Sequence, residues 1–212
     1  MTDLEYLDCL QNGILVRKMA PDFTAAAVMG DGTIDANFNF AKHISGKYAV
    51  LFFYPLDFTF VCPSELIAFH HRYADFKAKN VEVIGVSIDS EFVHSAWRNT
   101  PIEKGGIGQV SYPLVADKTH DICRSYGVQI EEAGVALRAT FLIDKTGIVR
   151  HQVVNDLPLG RNIDEMMRMV DALQFTESHG EVCPAGWNKG KQGMKPSADG
   201  VASYLADNAD KL

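Results

Sequence analysis

No Cys-x-x-Cys pair occurs in this sequence: the position that would complete one after Cys62 holds Glu65. That absence excludes a dithiol carrier whose second sulfur sits one helical turn from the first, so any disulfide formed by Cys62 takes its partner from far along the chain. The four cysteines, Cys9, Cys62, Cys123 and Cys183, are too few and too scattered for a secreted disulfide framework. No apolar run approaches the roughly 20 residues that cross a bilayer. Asp3, Glu5 and Asp8 precede any basic residue, which is not the pattern of a signal peptide, so a cytoplasmic protein with no membrane partner is expected. A basic excess is missing too. The formal net charge of −7 argues against nucleic acid as a standing partner. Gly105-Gly106-Ile107-Gly108 lacks the G-x-G-x-x-G spacing and the strand-turn-helix setting of a dinucleotide site. His70 and His71 are adjacent, so on a helix they point about 100° apart, and His43, His94, His120, His151 and His179 are scattered. No set has the paired spacing of a zinc site, and neither metal nor cofactor is expected.

With 212 residues the chain is long enough for one well-buried domain and an appendage. Its 47% hydrophobic and 22% charged residues are ordinary globular values, and no segment is low-complexity. The chain is organised around residues 55–65, PLDFTFVCPSE. Before them, residues 48–54 are continuously apolar and aromatic-rich, as a strand buried on both faces should be. After them, Leu66, Phe69, Tyr73 and Phe76 recur at helical spacing, and Pro63 suits a first helical turn, where its missing N–H costs nothing. Cys62 therefore stands where a strand gives way to a helix, with the free donors of that helix directed toward it.

The remaining elements follow by pattern. Gly30-Asp31-Gly32 marks a hairpin between about 22 and 40, residues 81–88 read as the next core strand, and Asp89 or Ser90 caps a helix that ends before Pro101. A loop spans 104–108, a short strand 114–116 and a short helix 117–126; Cys123 is read as a structural thiol and Trp97, on the preceding helix, as a core or interface residue. Residues 139–144 and 148–154 form a hairpin about Lys145-Thr146-Gly147. Asn162 and Glu165 have the form of a capping box ahead of the stripe Ile163, Met167, Val170 and Leu173. Past Phe175 the pattern fades into a Gly-, Lys- and Pro-rich arm, with a last short helix at 197–208. Together these make an α/β protein with a central mixed sheet flanked by helices.

A lone sulfur becomes a nucleophile only as the thiolate. A helix terminus stabilises an anion by about 0.3 to 1 kcal/mol, and about 2 kcal/mol at best, whereas a charge-assisted donor contributes about 1.5 to 3 kcal/mol. The dipole alone is too weak, so a fixed donor must approach Cys62; the Thr59 hydroxyl and a distant arginine are the candidates. Ionising the thiol fully gains only about thirtyfold. A larger acceleration needs donors aligned with the charge that develops in the transition state.

The spacing Pro55, Thr59, Cys62, in the form P-x-x-x-T-x-x-C and followed by Pro63 and Glu65, resembles the active-site signature of the peroxiredoxins. VCPAGW at 182–187 resembles the resolving-cysteine motif of their typical two-cysteine branch, the alkyl hydroperoxide reductase C and thioredoxin peroxidase group. The likeness runs from Ala20-Pro21-Asp22-Phe23 into the tail. It implies a thioredoxin-like fold with an N-terminal hairpin extension and a C-terminal arm, divided as 1–17, a peroxidase domain at 18–176, and 177–212 carrying the second thiol. The implied activity is reduction of hydrogen peroxide and organic hydroperoxides through a Cys62 sulfenic acid, in antioxidant defence and redox homeostasis.

By the same resemblance Cys183 of a second chain forms the disulfide with Cys62, giving a homodimer that assembles further into a decamer. The disulfide is then recycled by thioredoxin, a flavoprotein or another dithiol donor. Arg138 and Thr59 would hold the peroxide, Pro55 would shield the sulfur, and Glu65 would orient Arg138 and Arg161. From the residues alone Arg138 is an arginine opening a strand, and Arg161 could equally serve the cap of the helix after it. Gly105-Gly106-Ile107-Gly108 resembles the loop that, with a C-terminal Tyr-Phe, accompanies overoxidation sensitivity, but this chain carries Tyr204-Leu205, which weakens that lock. A holdase whose assembly responds to oxidation is the alternative from another class, and the family allows it as an added role on overoxidation. A thiol-disulfide oxidoreductase is the third, disfavoured by Glu65.

Overall fold

The computed structural model describes residues 13–211. Cys9 and most of the 1–17 extension lie outside the described residues. The chain divides into two compact units, one running to Ile163 and one from Asp164.

The first unit is built on a seven-stranded mixed sheet in the order β2-β1-β5-β4-β3-β8-β9. At its centre β3 (Tyr48–Phe53) and β4 (Val81–Ser87) run parallel, and every residue of both is buried. Their unbroken apolar runs suit this position, because helices cover both faces of parallel strands. β4 also pairs in parallel with β5 (Leu114–Ala116). On the other side β8 (Arg138–Ile143) joins β3 antiparallel and forms the expected hairpin with β9 (Val149–Asn155). β1 (Thr24–Val28) and β2 (Ile34–Asn39) make the hairpin at the opposite edge, with Val28 facing Ile34 across the turn. The edge strands are the open ones: β9 is buried only at Val149, and most of β2 is exposed.

Between β2 and β3 lies a single helical turn, α1 (Phe40–His43), capped by Asn39. Helix α2 (Cys62–Ala78) connects β3 to β4, and α3 (Glu91–Asn99), capped by Ser90 as expected, connects β4 to β5. Aromatic packing ties α2 to the sheet. The Phe52 ring of β3 stacks on Phe69 of α2 at 4.2 Å, and the buried Tyr112 hydroxyl donates to the Leu66 carbonyl at 2.6 Å. Phe52 faces Gly85 across the strand pair, where an added Cβ would lie 2.9 Å from the ring. A glycine there is the space the aromatic needs.

Two stretches depart from expectation. The helix expected over 117–126 forms only as α4 (Asp121–Ser125), because the Asp117 carboxylate accepts from the Ile122 and Cys123 N–H groups and holds residues 117–120 as a turn. A two-stranded ribbon, β6 (Gln129–Ile130) with β7 (Val135–Ala136), is too short to leave a period in the sequence. Cys123 is buried and its thiol donates to Asp117 at 2.7 Å; burial, then that carboxylate, push it far above the ordinary thiol range, as befits a structural cysteine.

The second unit takes in α5 (Ile163–His179) from Asp164 onward, and this helix continues past Phe175, where the sequence pattern fades. The arm after it is folded on itself. Val182 and Met194 pair as an antiparallel bridge, Phe175 packs on the buried Trp187 at 4.8 Å, and the Arg168 guanidinium donates to the Trp187 carbonyl at 2.8 Å. Helix α6 (Ala198–Asn208) follows, with the Ser197 hydroxyl accepting from the Gly200 N–H as an N-cap.

Candidate active site

Five of the residues singled out in the sequence, Thr59, Cys62, Glu65, Arg138 and Arg161, converge at the start of α2. Cys62 is the first residue of that helix, with Val61 before it as a cap that makes no side-chain bond and Pro63 at the next position. The Val61 carbonyl accepts from the Ser64 and Glu65 N–H groups and closes the first turn. This turn sets Cys62 and Glu65 three positions apart on one face, both buried.

Two side chains reach the sulfur. Thr59 Oγ1 lies 2.9 Å from Cys62 Sγ and 2.8 Å from the Leu56 carbonyl, and Arg138 Nη1 lies 3.3 Å from the same sulfur. A hydroxyl has one proton, so Thr59 donates to the sulfur when that is a thiolate, and to Leu56 when a thiol proton is present. Arg138 is held by its own bonds: Nε donates to the Leu157 carbonyl at 2.6 Å and Nη1 to Glu65 Oε2 at 2.8 Å.

Glu65 is the hinge of the cluster. Its Oε1 accepts from the Arg161 backbone at 2.8 Å and from Arg161 Nε at 2.9 Å, and its Oε2 accepts from Arg161 Nη2 at 2.7 Å. Burial raises its carboxyl pKa, but the hydrogen bonds and charge of Arg161, with the charge of Arg138, outweigh burial and hold it below the usual range. The remaining Arg161 nitrogen donates to the Phe53 and Ala139 carbonyls at 2.8 and 2.9 Å, and the guanidinium lies 5.1 Å over the Phe52 ring. Arg161 thus belongs to this cluster. Two guanidiniums against one carboxylate leave one positive charge in excess, in a place nearly closed to water, and Arg138 presents it to the sulfur.

Pro55 is buried at the exit of β3, and Cys183 lies in the second unit. There the Cys183 thiol is partly buried, 3.6 Å from the Ala172 carbonyl and 3.7 Å from Thr176 Oγ1. His70 accepts from the Ser111 N–H at 3.3 Å, while His71 is exposed. Sequence reasoning missed a second buried network behind the cysteine loop, in which Asp57 bonds Tyr54 and His94. His94 lies 37 positions from Asp57, and no spacing rule connects them.

A buried cysteine opening a helix, faced by a hydroxyl and a guanidinium at the end of a central strand, defines a thiol-dependent enzyme on a thioredoxin-like scaffold. The pattern of the AhpC/TSA family matches residues 16–152, and that of the C-terminal domain of 1-Cys peroxiredoxin matches 172–206. The alkyl hydroperoxide reductase C of Helicobacter pylori (strain ATCC 700392 / 26695) is 61% identical over 199 residues, covering 94% of this chain and all of the relative. Peroxiredoxin-2 of Mus musculus is 50% identical over 193 residues, covering 90% of this chain and 95% of that protein. Among solved structures, the reduced 2-Cys peroxiredoxin of Plasmodium vivax superposes with a TM-score of 0.88 at 49% identity, over 91% of this chain and 99% of the other. The chain belongs to the AhpC/TSA family, the peroxiredoxins, and is a thiol peroxidase.

Proposed function

We propose that Cys62 is the residue that attacks the peroxide, with Thr59, Arg138 and Pro55 completing the site and Glu65 and Arg161 holding Arg138 in place. The observation that carries this reading is the pair of donors, Thr59 Oγ1 and Arg138 Nη1, placed on one buried sulfur. In the proposed step the Cys62 thiolate attacks one oxygen of ROOH, the O–O bond breaks, and the leaving RO⁻ takes a proton to become ROH while the sulfur becomes S–OH. The same two donors are suited to the negative charge that grows along the O–O axis. Pro55, buried at the exit of β3, keeps that side of the loop from water.

Cys183 then attacks the sulfenic sulfur, water leaves, and a disulfide forms. We assign that thiol to a partner chain, within a homodimer that builds a decamer, and the return to dithiol to an external donor, thioredoxin or a flavoprotein-coupled dithiol. Substrates are hydrogen peroxide and small organic hydroperoxides. The reading assigns residues 18–176 to peroxide chemistry and 177–212 to resolution, with 1–17 as an extension. No helix among the described residues is long and apolar enough to cross a membrane. We assign the chain to the cytoplasm, since four scattered cysteines do not make the disulfide framework of a secreted protein.

Replacing each thiol tests the order of events. Cys62→Ser is expected to abolish peroxide consumption, whereas Cys183→Ser reduces one equivalent and then stalls, as followed by peroxide loss with and without a dithiol donor. Full turnover by Cys62→Ser would overturn the assignment.

A further inference from the structure

The loop that delivers Thr59 to the sulfur contains a strained residue. Phe58 has φ of +55° without glycine's freedom, and its ring, half exposed, touches the core on one side, 5.8 Å from that of the buried Trp97. A left-handed residue with a large side chain costs about 1 to 3 kcal/mol and persists only where its surroundings over-determine it. Downstream, Cys62 and α2 fix the chain. Upstream the anchor is Asp57, next to Phe58 and two residues before Thr59.

Asp57 is clamped from three directions. Its Oδ1 accepts from the Tyr54 hydroxyl at 2.8 Å, its Oδ2 lies 2.7 Å from His94 Nδ1, and its N–H donates to Asp89 Oδ2 at 2.9 Å. These contacts lead back to β3, to α3 and to the end of β4 in turn. Asp89 Oδ2 also accepts from Ser87 Oγ at 2.7 Å, and His94 Nε2 lies 3.2 Å from the Val115 carbonyl of β5. Tyr54 and His94 are fully buried, and Asp57 is 6% exposed. A buried polar network of this kind is retained only when its members are satisfied, and it then fixes one geometry. Nothing in the peroxide chemistry uses it.

We propose that Asp57, held by Tyr54, His94 and Asp89, is a positioning residue that locks Phe58 in its left-handed conformation and so keeps the Thr59 hydroxyl on Cys62. This deepens the assignment of Thr59 and Cys62 made above and rests on it. The connectivity, rather than the charge, is what acts. An asparagine at 57 keeps an acceptor for Tyr54 and donates to His94 Nδ1, in the tautomer whose Nε2–H donates to Val115.

The test compares two reactions of the same thiol in the full-length protein. Alkylation of Cys62 by iodoacetamide follows its thiolate fraction and its accessibility but needs no aligned donors, whereas oxidation by hydrogen peroxide requires them as well, so loss of alignment lowers the ratio of the oxidation rate to the alkylation rate. Asp57→Ala and His94→Ala are expected to lower that ratio by about tenfold to a hundredfold, the size of effect a displacement of about 1 Å produces. Asp57→Asn should stay within about threefold of the parent, since misplacement rather than lost charge sets the effect. Glu82→Gln, which destabilises the fold at the far end of β4, should leave the ratio unchanged and serves as the control for destabilisation as such. An unchanged ratio in Asp57→Ala, an Asp57→Asn loss as large as that of Asp57→Ala, or an equal loss in Glu82→Gln overturns the proposal. Should the rapid peroxide reaction survive in Cys62→Ser, it is the Cys62 assignment that fails; should it vanish there while Asp57→Ala matches the parent, only the positioning role fails.

Discussion

Single carboxylates decide much of this molecule, and they do so by how many cations they gather. Glu65 holds two arginines and turns one of them toward a sulfur. Glu82, 3% exposed on β4, has a similar setting with no chemistry in reach: Lys47 Nζ at 2.8 Å, Lys77 Nζ at 2.6 Å and His43 Nε2 at 3.6 Å. Burial raises its pKa, but the nearby His43 ring and the bonds from Lys47 and Lys77 prevail and hold it far below the ordinary glutamate value of 4.5. A depressed carboxyl pKa adds stability that is complete above the unfolded value and is lost as pH falls toward the folded one. Glu82→Gln is therefore expected to cost about 1 to 3 kcal/mol at neutral pH. The deficit should shrink by about pH 3, because the parent itself is then losing the interaction. Urea unfolding at both pH values checks this, and an equal deficit at each would contradict it. Neither cluster could be read from spacing, since Lys47 and Glu82 stand 35 positions apart.

At the scale of elements, the chemistry depends on how firmly α2 lies on the sheet. Phe69 stacks on Phe52, contacts Phe76 at 6.3 Å and lies 5.9 Å beneath the Arg161 guanidinium, so one ring supports both the helix and part of the charged cluster. Phe69→Ala removes a fully buried aromatic and should lower stability by about 3 to 5 kcal/mol in equilibrium denaturation; a loss below about 1 kcal/mol would mean that the helix is held elsewhere. The sequence showed these elements well where periodicity was long. α2 with its stripe of Leu66, Phe69, Tyr73 and Phe76, β3 as a continuous apolar run, and the β8–β9 hairpin all lie within a residue or two of expectation. Legibility failed where local hydrogen bonding displaced regular structure, as when Asp117 shortened α4.

For the molecule as a whole, the proposed cycle places the two reacting thiols on different chains. Mixing isolates that claim. Of the two proposed reacting thiols, Cys62→Ser retains only Cys183 and Cys183→Ser only Cys62, so neither alone forms the proposed disulfide. After subunit exchange and one equivalent of peroxide, the mixture should yield a covalent dimer on a non-reducing gel that neither variant yields separately. No covalent dimer from the mixture, with the parent oxidising to a monomeric disulfide, would place both thiols on one chain. Cys183 sits in a folded segment, 3.6 Å from the Ala172 carbonyl and 3.7 Å from Thr176 Oγ1, beside a loop closed by Val182 and Met194.

Taken alone, the order of residues determined the alternation of strands and helices, the placement of Cys62 at the head of α2, and the absence of a neighbouring second thiol. These are properties of short stretches, set by backbone preference and by side-chain period. Residue patterns without the family resemblance left Arg138 and Arg161 unpaired, and tertiary structure alone decided how each meets Glu65 and that His94 bolts the cysteine loop through Asp57. The reason is physical. A buried charge or polar group must find its partner in space, and chain folding brings together positions whose separation along the sequence carries no signal of their contact.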